Sequence, residues 1–196
     1  MGNTKEDILL TALELFARDG YEAVSVSQIA GALSMTKGAL YRHYNSKRDI
    51  FLQIVRQMEQ RDWEQAAGHG MPEGDVREMP DKYDKTSWES FVAYSKALFA
   101  YWTEDAYAAA FRKMLTLEQF RNEEMQKLYQ QYLVSGPVAY VKALFEHMGI
   151  RHAEEAATLF YAALFLFYSL YDGAEDKSAC KWQLEQTLLG LEKNIR

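Results

Sequence analysis

Residues 25–44, SVSQIAGALSMTKGALYRHY, constrain the chain more than any other stretch. Ser25 and Gln28 stand at capping-box spacing, which starts a helix at Val26. Val26, Ile29, Ala30 and Leu33 then fall on one face at helical period. Ser34 and Met35 interrupt the run. Thr36 caps a second, short helix from Lys37 to about Tyr44, with Leu40 and Tyr44 facing inward. Ala30 is small enough to let the two helices cross closely. This is the pattern of a helix-turn-helix. The second helix turns Thr36, Lys37, Gly38, Tyr41, Arg42 and His43 outward. These supply hydrogen-bond donors, a partner for a thymine methyl and one position with no side chain. A short helix entering the major groove of DNA by its N-terminal end needs that mixture.

The run from Ser27 to Phe51 resembles the signature of the TetR/AcrR family of bacterial transcriptional regulators, and the likeness extends over about Lys5 to Val55. Beyond that block the likeness is one of helix layout and chain length. It implies an all-α, dimeric, DNA-binding protein. It places Gly38 and Tyr41 near base edges, Thr36 and Lys37 on bases or adjacent phosphate, and Arg42 and His43 towards the backbone. On chemistry alone Arg42 is also able to grip guanine bidentately, and both assignments stand. Ser25 and Ser27 open the first motif helix, whose free N–H groups suit a phosphate. Ser46 and Asp49 form a further capping box, and the helix start there, with Lys47, makes a phosphate clamp. The DNA-binding set is therefore Ser25, Ser27, Thr36, Lys37, Gly38, Tyr41, Arg42, His43 and Lys47. Tyr21, Val24 and Tyr44 are read as core.

The net charge of −6 would argue against nucleic acid if it were evenly spread. It is not. In residues 1–60 seven basic and seven acidic side chains cancel, and residues 36–56 hold five basic residues against one acid. Backbone phosphates respond to such a local patch, and an acidic remainder disfavours every other face. The single cysteine, Cys180, excludes an intrachain disulfide and fits a reducing cytoplasm. MGNTKEDILL carries acids where a secretory signal would be basic.

The rest of the chain reads as helices. Thr4 to Asp19 carries Ile8, Leu9, Ala12, Leu13 and Phe16 in one stripe and stops at Gly20. A fourth helix runs from Lys47 to about Ala67, and residues 68–85, with three glycines and two prolines, form a long loop. Ser87 caps a helix reaching Trp102. Others follow at about Glu104–Leu115 and Glu118–Met148, the latter kinked or restarted at Gly136-Pro137. Ala153–Tyr171 and Lys177–Ile195 are the last two. Ala156–Tyr171 contains sixteen residues without a charge. It is short for a membrane span, and a helix apolar all round needs cover on more than one side. A second subunit supplies that cover, giving a homodimer through the two C-terminal helices and no membrane association.

No nucleophile elbow, phosphate loop, metal pair or Cys–His set appears, so neither an enzyme nor a metal or other cofactor is expected. Residues 86–171 are rich in aromatics with polar tips, the composition of a pocket for a small aromatic or amphipathic effector. The effector-binding candidates are Trp88, Phe91, Tyr94, Trp102, Phe111, Tyr132, Tyr161, Phe165 and Tyr168. The expectation is an all-α chain of about nine helices: an N-terminal three-helix helix-turn-helix domain over 1–48, then a helical ligand-binding and dimerisation domain over 49–196. Its function would be that of a cytoplasmic, ligand-responsive repressor on a palindromic operator in double-stranded DNA. An activator without a small effector, and a helical protein–protein interaction module without DNA binding, are the rival readings; a helical enzyme ranks last.

Overall fold

In the computed structural model the described residues are 4–72, 83 and 86–195. They form ten helices and no strand: α1 (Thr4–Asp19), α2 (Val26–Ala32), α3 (Lys37–Leu40), α4 (Lys47–Gly68), α5 (Trp88–Glu104), α6 (Ala106–Glu118), α7 (Glu123–Leu133), α8 (Ser135–His147), α9 (Ala153–Gly173) and α10 (Lys177–Ile195). Most of the glycine- and proline-bearing loop expected over 68–85 lies outside the described residues, as does the side chain of Thr4. None of the described helices is long and apolar enough to cross a membrane.

The chain divides into two compact units that do not follow chain order. The first comprises Met1–Asp62 and Glu104–Tyr129, the second Trp63–Thr103 and Gln130–Arg196. In the first, the expected α1 stripe of Ile8, Leu9, Ala12, Leu13 and Phe16 is buried, and α1 packs along α6. Ala108, Phe111, Met114 and Leu115 of α6 are buried, as are Ile50, Phe51, Ile54 and Met58 of α4. Asp105 caps α6 through its carboxylate, which accepts the N–H groups of Tyr107 and Ala108. In the second, α9 packs on both α8 and α10. Trp88, Phe91, Phe145 and Phe160 make one ring cluster, with Phe91 and Phe160 centroids 4.7 Å apart. Ser87 caps α5, its hydroxyl accepting the Ser90 N–H at 3.1 Å.

The expected helix over 118–148 is two helices, which brings the count to ten. The break falls at Val134 (φ −134°, ψ −92°), three residues before Pro137. Pro137 sits in the first turn of α8, where a missing N–H is tolerated. That missing donor would have paired with the Leu133 carbonyl four residues back. The Tyr161 hydroxyl donates to this carbonyl instead, at 2.9 Å in a buried setting. Gly136 is held by close approach: a Cβ there would lie 1.9 Å from the Gln131 carbonyl oxygen.

Candidate nucleic-acid interface

The motif helices form as their caps dictate. The Ser25 hydroxyl accepts the Gln28 N–H at 3.2 Å while the Gln28 side chain accepts the Ser25 N–H at 2.8 Å, a complete capping box. Thr36 caps α3 by accepting the Ala39 N–H at 3.1 Å. Between them α2 closes in a Schellman turn. The Met35 N–H bonds the Ala30 carbonyl, the Ser34 N–H bonds the Gly31 carbonyl, and Ser34 occupies the left-handed position with φ 54°.

The regular part of α3 ends at Leu40, not near Tyr44 as its apolar spacing suggests. Turn-type bonds from Tyr41, Arg42, His43 and Tyr44 continue the winding. Leu40 is fully buried. Tyr44 is buried too, its hydroxyl donating to the Lys5 carbonyl at 3.2 Å and its phenol pushed to higher pKa by burial. Those two anchors hold Thr36, Lys37, Gly38, Tyr41 and Arg42 on the exposed side, with His43 half-buried beside them. Tyr41 is 42% exposed, with the Lys37 ammonium 5.7 Å from its ring centre. A Cβ on Gly38 would meet nothing within 4 Å, so the backbone of α3 is open to close approach there.

Ser25 and Ser27 are exposed at the start of α2. Ser46 accepts the Asp49 N–H at 3.0 Å and opens α4. Lys47 is engaged by the α1–α2 connector. Its ammonium donates to the Tyr21 carbonyl at 2.8 Å, lies 4.3 Å over the Tyr21 ring and stands 3.7 Å from the Glu22 carboxylate. A phosphate at this helix start would share Lys47 with the α1–α2 connector. Nothing in local spacing signals this, because its partners are 25 and 26 residues away. Arg48, the neighbouring cation, is paired with Glu124, and this hydrogen bond holds its guanidinium above its ordinary pKa.

The nine aromatic effector candidates are distributed over both compact units. Trp88 and Phe91 are in contact, Trp102 lies 6.3 Å from Tyr132, and Tyr168 stacks on Phe99 at 5.5 Å. Tyr94 is buried beside His69. Phe111 is a core residue of the first unit, whereas the other eight belong to the second. Tyr161 and Phe165 are near neighbours, but Phe165 is 39% exposed. It falls with Ala162 and Leu166 on the outward side of α9, one helical step from the buried Leu164. Trp88 lines a cleft of about 750 Å³ together with Ser87, Glu89, Met148, Arg151 and His152. Its indole N–H is buried and has no hydrogen-bond partner among the described residues.

Residues 8–54 match the model of the "Bacterial regulatory proteins, tetR family". Over that stretch the chain is similar to the TetR family. It is 31% identical over 84 residues to the HTH-type transcriptional repressor AcnR of Corynebacterium glutamicum, covering 42% of this chain and 45% of AcnR. With the HTH-type transcriptional regulator QacR of Staphylococcus aureus it shares 29% identity over 133 residues, 67% of this chain and 65% of QacR. The matched stretches thus span less than two thirds of these relatives. The fold is similar to that of a TetR-family transcriptional regulator from Marinobacter aquaeolei VT8, with a TM-score of 0.67 and 19% identity over 99% of this chain and 91% of that one.

Proposed function

We propose that the protein is a ligand-responsive repressor that binds a palindromic operator in double-stranded DNA as a homodimer in the cytoplasm. The observation that carries this reading is the exposed α3: a capped helix start, an open glycine and a cation–aromatic pair on a face anchored by Leu40 and Tyr44. Ser25, Ser27, Thr36, Lys37, Gly38, Tyr41, Arg42, His43 and Lys47 are its DNA-contacting set. Residues 1–48 act as the reading domain and 49–196 as the effector-binding and dimerisation domain.

The dimer reading draws on α9 and α10. Leu159, Ala162, Leu166 and Leu170 recur at helical spacing on the exposed side of α9, with Trp182 and Leu189 exposed on α10. Leu159 is 60% and Leu166 57% exposed, and such a stripe in water calls for a protein partner. A two-fold protein places two α3 helices about one helical turn of DNA apart, roughly 34–36 Å. An effector that prefers a conformation with another spacing draws the population off the operator. The ring-rich second unit, and a Trp88 N–H with no acceptor among the described residues, favour an aromatic or amphipathic effector carrying a hydrogen-bond acceptor.

Selection from randomised duplex DNA tests the reading. The chain is expected to enrich an inverted repeat and to bind it at least about 1,000-fold tighter than random DNA. Failure to enrich any sequence, with no affinity for duplex even at low salt, would sink it.

A further inference from the structure

Glu118 is 1% exposed, and it closes α6 at the helix C-terminus, where the helix dipole opposes a negative charge. A buried carboxylate in that place is doubly unfavourable unless something requires it. Its Oε1 accepts the backbone N–H of Tyr21, 97 residues away, at 3.0 Å, and lies 3.4 Å from the Arg121 guanidinium. The contact leaves no room at Gly20. With φ +90°, a Cβ there would stand 2.8 Å from the same carboxylate oxygen.

Tyr21 is held from its other sides as well. Lys47 takes its carbonyl, and its ring meets Phe16 at 5.0 Å and Phe51 at 5.4 Å. Four residues further on, Ser25 starts α2. A second clasp lies just past α3: Arg48 forms a two-pronged pair with Glu124, near the start of α7, with one Nη2–Oε1 distance of 2.8 Å. Residues 22–47, which contain both motif helices, are therefore pinned at each end by one short segment, 118–124. All of these contacts lie within the first compact unit.

We propose that Glu118 is a positioning residue for the DNA-reading helices, acting through the Tyr21 amide, with Glu124 and Arg48 as its counterpart at the far end of the motif. The role rests on the DNA-binding reading above. It adds two residues that lie far from the motif in sequence and contact no DNA. Removing the acceptor leaves the Tyr21 N–H buried and lets the start of α2 drift. The exposed cations that attract any duplex remain in place. Operator recognition then falls while general DNA affinity does not.

The test uses the full chain and the duplex that the parent protein selects. Glu118→Ala is expected to lower the ratio of operator to random-DNA affinity by about tenfold or more, with random-DNA affinity unchanged. Glu118→Gln keeps an oxygen for the Tyr21 N–H and is expected to restore the ratio to within about threefold of the parent. A Glu118→Ala protein with the parental ratio overturns the proposal, and so does a Glu118→Gln protein as defective as Glu118→Ala. Should Glu118→Ala fail to fold, Glu124→Gln replaces it. A loss of about threefold or more supports the role, and a parental ratio overturns it. Hydrogen exchange separates this failure from failure of the regulator reading. If the parent selects no DNA, that reading falls alone. Positioning is then judged by α2 amides, expected to exchange about tenfold faster in Glu118→Ala with α9 unchanged; unaltered exchange overturns it.

Discussion

Two exposed surfaces of this molecule have opposite chemistry. Around α3 the exposed groups are a hydroxyl, two cations, an open glycine and a phenol, presented by a helix of four residues. Along α9 and α10 they are leucines, a phenylalanine and a tryptophan, presented by helices of 21 and 19 residues. The first surface suits a hydrated polyanion. The second is out of place in water and suits another protein surface. A short helix exposes what it uses, because caps and two buried anchors hold it; a long one needs a partner for its uncovered side.

The contrast breaks most readily on the apolar side. Leu166→Glu places a charge in the centre of the α9 stripe and is expected to give monomers at micromolar concentration in sedimentation. Operator affinity should drop by roughly 100-fold or more, since a monomer reads only half a site. A Leu166→Glu protein that remains dimeric would move the interface elsewhere.

The next effect concerns α4, whose residues are shared between both compact units. Asp62 falls one turn beyond the buried Met58, and burial pushes its carboxyl up to about 6. The folded state thus holds this proton more tightly than the unfolded chain does. Asp62 therefore subtracts stability as pH rises from about 4 to 6, and the penalty is complete above that window. Asp62→Asn is expected to raise stability at pH 7 by about 2–3 kcal/mol and to flatten the acid limb of the urea-denaturation profile. Equal stability of parent and variant at pH 7 would show that Asp62 finds water.

On the polar side, Tyr41→Ala is expected to weaken operator binding by about tenfold, the value of one good groove contact, without altering the oligomer. Fluorescence anisotropy on the selected duplex measures it, and parental affinity would remove Tyr41 from the interface. Smallest is Ser34→Gly. The left-handed conformation at φ 54° costs a serine roughly 1–2 kcal/mol, and glycine returns about 0.5–1 kcal/mol in unfolded-state entropy. A net gain of about 0.5 kcal/mol in thermal or urea unfolding is expected.

What could be read from residues alone follows the range of the forces involved. The caps at Ser25, Thr36, Ser46 and Ser87 lie within three residues of their partners, and each forms in the structure. The α1 stripe was legible for the same reason. The further partners of Lys47, Tyr21 and Glu22, carry no local signal, because they are reached only after the chain has turned back. Glu118 carries no local signal at all; a glutamate at a helix end reads as surface until its acceptor oxygen is found against Tyr21. The aromatic set shows the limit from another side. Composition counted rings correctly but not their phase, so Phe165 faces outward and Phe111 belongs to a different unit. Pro137 announces a break, and the break falls at Val134, directly after Leu133, whose carbonyl the proline cannot serve.

The α7–α8 bend sets a boundary on redesign. Every side chain larger than hydrogen is shut out at position 136 by the Gln131 carbonyl, and the Leu133 oxygen is already spoken for by Tyr161. An engineer recutting the ring-lined interior meets a limit at Tyr161, because trimming that phenol bares a carbonyl as well as enlarging a cavity, and the newcomer must bring its own donor.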